Sequence, residues 1–328
     1  PGGPDWDFPA LRLAPLDPAA GTALVTDRAP GTDGDVAGAL VALAAGNPGA
    51  LTELASALTP AQRCGEEPAP STLPATSRLR REHAARLAAL PEPTRRLVLV
   101  VAADPDLTTG ELVRAAESLG IDITALDPAE RVGLIRISGD EVRIPEPLVR
   151  CVVYEEATLS ARRATHALLA SILDPQRAAI RALLHRAALA VGPDPDLADA
   201  LARCALALAG DGSSHPSVHH GQTPAVRARA LARAAELSSD PALAAARLVA
   251  AARQLWDGGE PHRARGLLRR VQAAALPPPA RGEYDLLLGE MELRGATPDR
   301  AGAVLMAAAE ELRDDPDRRV TALLSAGE

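Results

Sequence analysis

The sequence predicts a mainly α-helical protein that contains one small β-hairpin. Three observations support this fold class. Apolar residues recur at helical spacing through most of the chain, and the breaks between these stretches carry Gly, Pro or Asp-Pro. The period changes to two over residues 134–144, as in paired strands. Aromatic residues make up 2% of the chain and alanine about a fifth, so the cores must be closely packed helices built from Leu, Ala and Val.

The composition excludes several kinds of chemistry. The chain has 328 residues, enough for two or three domains, and its 35 basic residues are all arginine. Without lysine it can form neither a Schiff base nor a phosphate-binding loop that ends in Gly-Lys-Ser/Thr. A net charge of −8 argues against nucleic-acid binding through bulk charge. Cys64, Cys151 and Cys204 are far apart and odd in number, which predicts buried thiols in a reducing cytoplasm. No signal or membrane segment is apparent.

The first 75 residues predict three short helices and a linker. Asp17-Pro18 and Asn47-Pro48 each place a capping side chain directly before a proline at the first helical position. Gly46 is suited to end the helix predicted over residues 35–45. Residues 60–75 carry several prolines and no hydrophobic periodicity, so they are predicted to be a linker.

The next part of the chain predicts several helices followed by a hairpin. Residues 76–103 contain an amphipathic helix and an almost wholly apolar one. A third helix is predicted from Thr108 to Leu119. A short fourth helix begins at Asp127, with Glu130 completing a capping box. Two alternating runs around Gly139-Asp140 predict a β-hairpin. Helices followed by a small hairpin are the layout of a winged-helix domain.

The remainder of the chain, from residue 174, is predicted to be paired helices. Aligning Ala264 with Ala301 places the small residues Ala252 and Gly289 twelve positions before them. This spacing approximates the tetratricopeptide period of about 34 residues, in which small residues lie where paired helices cross. The sequence therefore predicts a tetratricopeptide-like array, with Trp256 packed between its helices.

Candidate reactive groups are few. His215, His219 and His220 could hold a metal, but no Cys or carboxylate nearby completes a set, so a solvated loop is favoured. Glu155-Glu156 are sequence neighbours that do not face one another on a helix, which disfavours acid/base chemistry. The other histidines lie singly on predicted helices and are expected to be polar-face or boundary residues: His83, His166, His185 and His262.

DNA contact by the predicted winged helix is disfavoured. Its candidate recognition helix, residues 108–119, carries Glu111 and Glu117 against the single basic Arg114. A helix that approaches phosphates should be net basic. A basic cluster elsewhere keeps DNA contact open, although an ordinary exposed face explains it equally well: Arg78, Arg80, Arg81, Arg95 and Arg96.

Several stretches together resemble a known family. Residues 46–54 (GNPGALTEL) are similar to the GNP-x-AL-x-EL stretch of the large ATP-binding regulators of the LuxR type, which belong to the STAND class of signalling ATPases. The only asparagine of the chain, Asn47, lies in this stretch. Further stretches resemble the family's RL…AARLAALP, GLVR, HPLVRSAVY and RRAAH patterns: residues 78–91, 133–136, 147–154 and 162–166.

The resemblance implies a division of the chain. It makes residues 1–75 the end of a nucleotide-binding module and its helical lid, 76–173 a winged-helix domain, and 174–328 the helical array. A phosphate-binding loop would precede residue 1 and a DNA-binding helix-turn-helix would follow residue 328, so the chain is expected to be the central part of a longer protein.

The same resemblance implies a nucleotide contact, and this sequence departs from the family pattern at one position. Pro48 would lie near the adenine of bound ATP or ADP, with Gly46 and Asn47 shaping the turn. Glu146 stands where the family usually has a histidine that contacts the nucleotide phosphates. A carboxylate repels phosphates unless a cation intervenes, so the role of that histidine is not carried over to Glu146.

The expected function is therefore signal sensing without catalysis by this chain. An inducer or a regulatory protein would bind the helical array, and activation would involve self-association. DNA would be bound only by a domain outside this chain, and no membrane would be involved. The alternative is a helical-repeat scaffold that binds proteins and uses no nucleotide. An enzyme is disfavoured because no nucleophile–base pair or metal set is evident.

Overall fold

The computed structural model describes residues 14–65, 67–210, 223–294 and 298–327. Within these residues the fold is mainly helical, with one two-stranded antiparallel sheet, as the sequence predicts. The first half contains α1 (Pro18–Arg28), α2 (Gly34–Ala44), α3 (Pro48–Ser56), α4 (Pro60–Arg63), α5 (Arg78–Ala88), α6 (Glu92–Ala103), α7 (Thr109–Ser118), α8 (Asp127–Arg131), β1 (Arg136–Ser138), β2 (Glu141–Arg143), α9 (Pro147–Glu156) and α10 (Leu159–Ile172).

The second half, as far as it is described, is helical throughout. The last helix, Pro316–Ala326, lies within the predicted array but beyond its final predicted helix, residues 298–313. The elements are α11 (Ala179–Leu189), α12 (Pro195–Gly210), α13 (Pro224–Leu237), α14 (Pro241–Asp257), α15 (Pro261–Leu268), α16 (Pro278–Leu293), α17 (Pro298–Glu311) and α18 (Pro316–Ala326).

Local capping explains where many of these helices begin. Asp17 Oδ1 accepts a hydrogen bond from the Ala20 N–H at 2.8 Å, and Pro18 occupies the first helical position. Asp240 Oδ1 accepts one from the Ala242 N–H at 2.8 Å at the start of α14, again directly before a proline. These side chains satisfy N–H groups that the helix leaves without partners, so the starts are determined locally.

The β-hairpin forms where the alternating pattern predicts it. Ile137 pairs with Val142 across β1 and β2, and Gly139-Asp140 makes the turn. Val142 is buried among the residues of α6 and α7. The Thr109 N–H donates to the Asp140 carbonyl at 2.9 Å, which ties the hairpin tip to the start of α7.

Two local predictions are wrong. The predicted linker over residues 60–75 contains α4, which a capping box between Thr59 and Gln62 stabilises, and it also buries Leu73 completely. The predicted capping box at Asp127 does not form. A 3-10 turn over Ile123–Leu126 runs directly into α8, so Asp127 is already inside the helix and has no capping role.

Shared helices join the hydrophobic clusters. Leu148 of α9 is buried in the cluster formed by α1, α2 and α3, whereas Val149 and Val153 of the same helix are buried in the cluster around α6, α7 and the hairpin. Leu286 and Leu287 of α16 likewise face two different clusters of the paired helices. Because one rigid helix contributes to two clusters, neighbouring clusters hold one another in place.

The small residues from which the repeat spacing was inferred lie where helices pack together. Ala252 of α14 and Ala264 of α15 are fully buried where these helices pack together. A Cβ atom on Gly289 of α16 would overlap the side chain of Leu305 on α17. Trp256 is buried in the same region, as predicted, with the Arg294 guanidinium 4.7 Å from its ring centre.

Every helix in the described ranges is either too short or too polar to cross a lipid bilayer.

Candidate ligand-binding cavity

A cavity of about 930 Å³ lies where helices from three hydrophobic clusters meet. Its walls come from α2 and the segment after α4, from α6, α9 and α10, and from α13 and α15. This volume is within the range of pockets that enclose small organic ligands, about 300–1,000 Å³. A ligand here would contact all three regions at once.

The cavity lining combines apolar and charged residues. Apolar residues include Val36 and Leu43 of α2 and Leu267 of α15. Helix α9 contributes Arg150, Tyr154 and Glu155. The remaining charged lining residues come from other segments: Asp35, Glu67, Arg229, Glu260, Arg263, Arg269 and Arg270.

A chain of hydrogen bonds runs from Tyr154 in the cavity wall into the protein interior. Tyr154 Oη lies 2.7 Å from His166 Nε2, and His166 Nδ1 lies 2.9 Å from His185 Nδ1. His185 Nε2 in turn lies 3.1 Å from Asp104 Oδ2. The Arg162 guanidinium lies 5.4 Å from the centre of the Tyr154 ring, so the phenol is held from a second direction.

The direction of the bond between His185 and Asp104 follows from the carboxylate. Burial by itself would raise the pKa of this carboxyl, but hydrogen bonds and positive charge from His185 and Arg181 hold it far below its usual range. An ionised carboxylate only accepts, so His185 Nε2 donates to it. In the bond between the two imidazoles, one Nδ1 donates and the other accepts.

Arg181 of α11 completes this cluster. Its Nη2 donates to Asp104 Oδ2 at 2.6 Å and to Glu111 Oε2 at 2.8 Å. Burial would lower the pKa of Arg181, yet the two carboxylates raise it above its usual value. Glu111 Oε2 also accepts from the Thr108 N–H at 2.9 Å, in the capping box of α7. We call the connected residues the Asp104 network: Asp104, Glu111, Tyr154, His166, Arg181 and His185.

The Asp104 network joins Tyr154 of α9 to four other helices. Asp104 ends α6, Glu111 lies in the first turn of α7, His166 is on α10, and Arg181 and His185 are on α11. A ligand that displaced Tyr154 would therefore alter hydrogen bonds that join α7, next to the hairpin, to α11.

The stability of the protein should decrease as the pH falls from about 6.5 to 4. Burial, with a smaller contribution from the charge of His185, lowers the pKa of His166 to about 4. An unfolded histidine titrates near 6.5, so in this interval the unfolded chain binds more protons and acid favours unfolding. The expected loss is at most about 3 kcal/mol.

This prediction is checked by urea unfolding at several pH values between 4.5 and 8. His166→Gln should lose less stability than the wild type between pH 6.5 and 4.5, and the two curves should run parallel above pH 7.5. Equal losses in both proteins across the acid interval would show that His166 does not carry the effect.

The structure does not bring the predicted nucleotide-contact residues to this cavity. Gly46 is buried at the corner between α2 and α3 with φ +77°, and it follows Ala45, which is also left-handed at φ +47°. Asn47 Oδ1 accepts from the Ala50 N–H at 3.1 Å, so it caps α3 as predicted. Pro48 is exposed beside it. The corner thus presents a rigid apolar ring to solvent.

Glu146 lies exposed at the start of α9 and makes no side-chain capping bond there. It borders a small pocket of about 40 Å³ together with His83 and Arg86. Its carboxylate would repel a phosphate placed at this point.

The structure also shows what other predicted residues do. Arg80, from the basic cluster, donates to Glu155 Oε2 at 2.7 Å and to Glu156 Oε1 at 3.0 Å, so these acids form ion pairs with it. The prediction of buried thiols is wrong: Cys64 is exposed, and Cys151 and Cys204 are half-buried. His215, His219 and His220 lie outside the described residues.

The assignment of single histidines to boundary positions is wrong for two of them. His166 and His185 are buried and bonded to each other, although they lie 19 residues apart on different helices. One local signal was available: Arg181 and His185 are four residues apart, so they share the otherwise apolar inner face of α11. Polar residues on a buried face need buried partners.

Comparison with known proteins adds no assignment, because no protein-family model, curated protein or solved structure matches this chain. Within the described residues, no group of three or more His, Cys, Asp or Glu side chains is arranged to hold a metal ion.

Proposed function

We propose that this chain is the signal-sensing and regulatory segment of a cytoplasmic, ATP-dependent LuxR-type transcriptional regulator. Its helical array, taken as tetratricopeptide-like, would couple the binding of an inducer or a regulatory protein to a nucleotide-controlled switch. The observation that carries this proposal is the cavity, because its walls combine the helices proposed as a lid (α2), as a winged helix (α6, α9, α10) and as the array (α13, α15).

The order of elements supports the same proposal. Helices α5 to α8 precede the hairpin β1–β2 and helix α9 follows it, which is the sequence of elements expected of a winged helix. The corner at Gly46, Asn47 and Pro48 has the tight turn and exposed proline ring that would suit contact with the adenine of ATP or ADP. The nucleotide phosphates would be held by residues outside this chain.

The proposed switch has two states. A signal molecule changes the balance between a closed and an open arrangement only if it binds one of them more tightly. A ligand in the cavity would do so, since opening the lid or rotating the array would separate the walls that it contacts. Self-association would follow opening, and DNA would be bound by another domain of the same protein.

A second candidate is a helical-repeat scaffold that binds proteins and no nucleotide. The exposed Glu146 favours it, because this carboxylate lies where the resembling regulators place a phosphate-contacting histidine.

Calorimetric titration of the intact gene product with ADP and ATP separates the two candidates. The regulator should bind ADP saturably, and Pro48→Ala should weaken that binding about tenfold. Pro60→Ala is the matched control, because Pro60 occupies the same first position of α4. Saturable binding that is weakened by Pro48→Ala alone supports the switch. The absence of any saturable nucleotide binding would contradict it and favour the scaffold.

A further inference from the structure

Two arginines in the cavity wall differ from the others in having no side-chain hydrogen bond or ion pair within the described residues. Arg263 is paired with Glu260 at 2.5 Å, Arg270 lies 4.0 Å from Glu236, and Arg269 donates to the Gly65 carbonyl. Arg150 and Arg229 also line the cavity, and their side chains form no hydrogen bond or ion pair with any residue that the structure describes.

Each of these two guanidinium groups therefore lies in a cavity wall with its charge uncompensated by a direct bond. Arg229 keeps part of its surface exposed. Partial removal from water lowers the pKa of its guanidinium, the charges of Asp104 and Asp106 raise it, and the positive charge of Arg150 lowers it. Asp104 is near Arg229, but its carboxylate already accepts hydrogen bonds from Arg181 and His185. An anion that entered the cavity would relieve this repulsion between like charges.

The cavity lining also contains apolar residues: Ala39 and Leu43 of α2, Leu255 of α14 and Leu267 of α15. A ligand that fits this lining needs an anionic group at one end and a hydrocarbon portion at the other. Guanidinium groups suit carboxylate and phosphate oxygens, because their planar donors form paired hydrogen bonds with them.

We propose that the cavity binds a small amphipathic organic anion, whose carboxylate or phosphate group is held by Arg150 and Arg229 and whose apolar portion lies against Leu43, Leu255 and Leu267. This inference rests on the proposed function in that it names the chemical class of the inducer. The site is separate from the corner at residues 46–48, because none of those residues lines the cavity.

The position of the anion gives it a route to the rest of the protein. Arg150 and Tyr154 are four residues apart on α9, so they share one face of that helix. An anion held by Arg150 would therefore lie beside the phenol that begins the Asp104 network. Arg229 is on α13, within the array. Binding would hold α9 and α13 at a set separation.

The test is calorimetric titration of this chain with three probes of equal chain length: octanoate, octyl phosphate and octan-1-ol. We expect octanoate or octyl phosphate to bind at least about tenfold more tightly than octanol, and Arg150→Gln and Arg229→Gln each to weaken that binding by a similar factor. The tighter of the two anions identifies the head group. Arg78→Gln is the control, because Arg78 does not line the cavity and is paired with Glu82, and it should leave affinity within about twofold.

Equal binding of octanol and both anions would overturn the proposal, as would no binding of any probe, or unchanged binding by both glutamine variants. Circular dichroism and the thermal midpoint establish that each variant folds. If Arg229→Gln does not fold, Arg229→Lys replaces it in the test. Because lysine keeps the positive charge, this variant should bind the anion more weakly than the wild type but more tightly than Arg150→Gln does.

A second measurement distinguishes failure of this inference from failure of the proposed function. In the intact gene product, anion binding that leaves ADP affinity unchanged would contradict the switch but not the anion site. ADP binding without any anion binding would overturn the anion site alone.

Discussion

Replacing Arg181 with methionine is expected to lower the free energy of unfolding by about 3–5 kcal/mol. Its guanidinium is almost completely buried and is bonded to the carboxylates of Asp104 and Glu111, which are themselves buried. Methionine would leave these two negative charges close together in the interior without their cation. Urea unfolding at pH 7.5, followed by circular dichroism, measures the loss.

Two further variants locate the cause of this loss. Arg78→Met removes an ion pair with Glu82 in which the arginine is largely exposed, so its unfolding curve should overlay that of the wild type. Adding Asp104→Asn to Arg181→Met should recover part of the stability, since it removes one uncompensated charge. A loss below about 1 kcal/mol for Arg181→Met would mean that water or another cation replaces the guanidinium.

Replacing Gly46 with alanine should cost about 3 kcal/mol. The residue has φ +77°, which side chains other than glycine's rarely adopt. A Cβ atom there would also overlap the Leu16 carbonyl and lie 2.8 Å from Pro15 Cβ. The Leu16 N–H donates to the Gly46 carbonyl at 2.9 Å, so the substitution would disrupt the contact that closes this corner.

Gly259→Ala separates the cost of the left-handed backbone from the cost of the steric overlap. Gly259 has almost the same backbone angle, φ +76°, but no atom lies near the position of its Cβ. Alanine there should therefore cost only the left-handed backbone penalty, about 1 kcal/mol. Equal losses at the two positions would mean that the corner relaxes away from Leu16 and that the steric argument fails.

Much of the fold could be predicted because it depends on near neighbours. The starts of α1 and α3 follow from an Asp or Asn directly before a proline, and the hairpin follows from alternation on either side of Gly139-Asp140. Helix α4, which was missed, also has a local cause, a capping box between Thr59 and Gln62. The several prolines of residues 60–75 predicted a linker, because they are a stronger signal than the capping box.

The candidate site could not be predicted, because its residues are distant in sequence. Asp104 and His185 are 81 residues apart, and the polar pair Arg181 and His185 on the inner face of α11 does not indicate which residue it binds. Arg150 and Arg229 lie on helices from different hydrophobic clusters. The hydrophobic pattern predicts that each of these residues lies on a helix. It does not indicate which other helix packs against that one.

The sequence alone thus determined the class of fold, the starts of many helices, the hairpin and the cap at Asn47, because each depends on hydrogen bonds and apolar spacing within a few residues. Only the tertiary structure decided which buried charges became partners and where a cavity remained. Those outcomes depend on how α2, α9, α13 and α15 pack together, and packing between distant segments is set by the shape of all their surfaces at once.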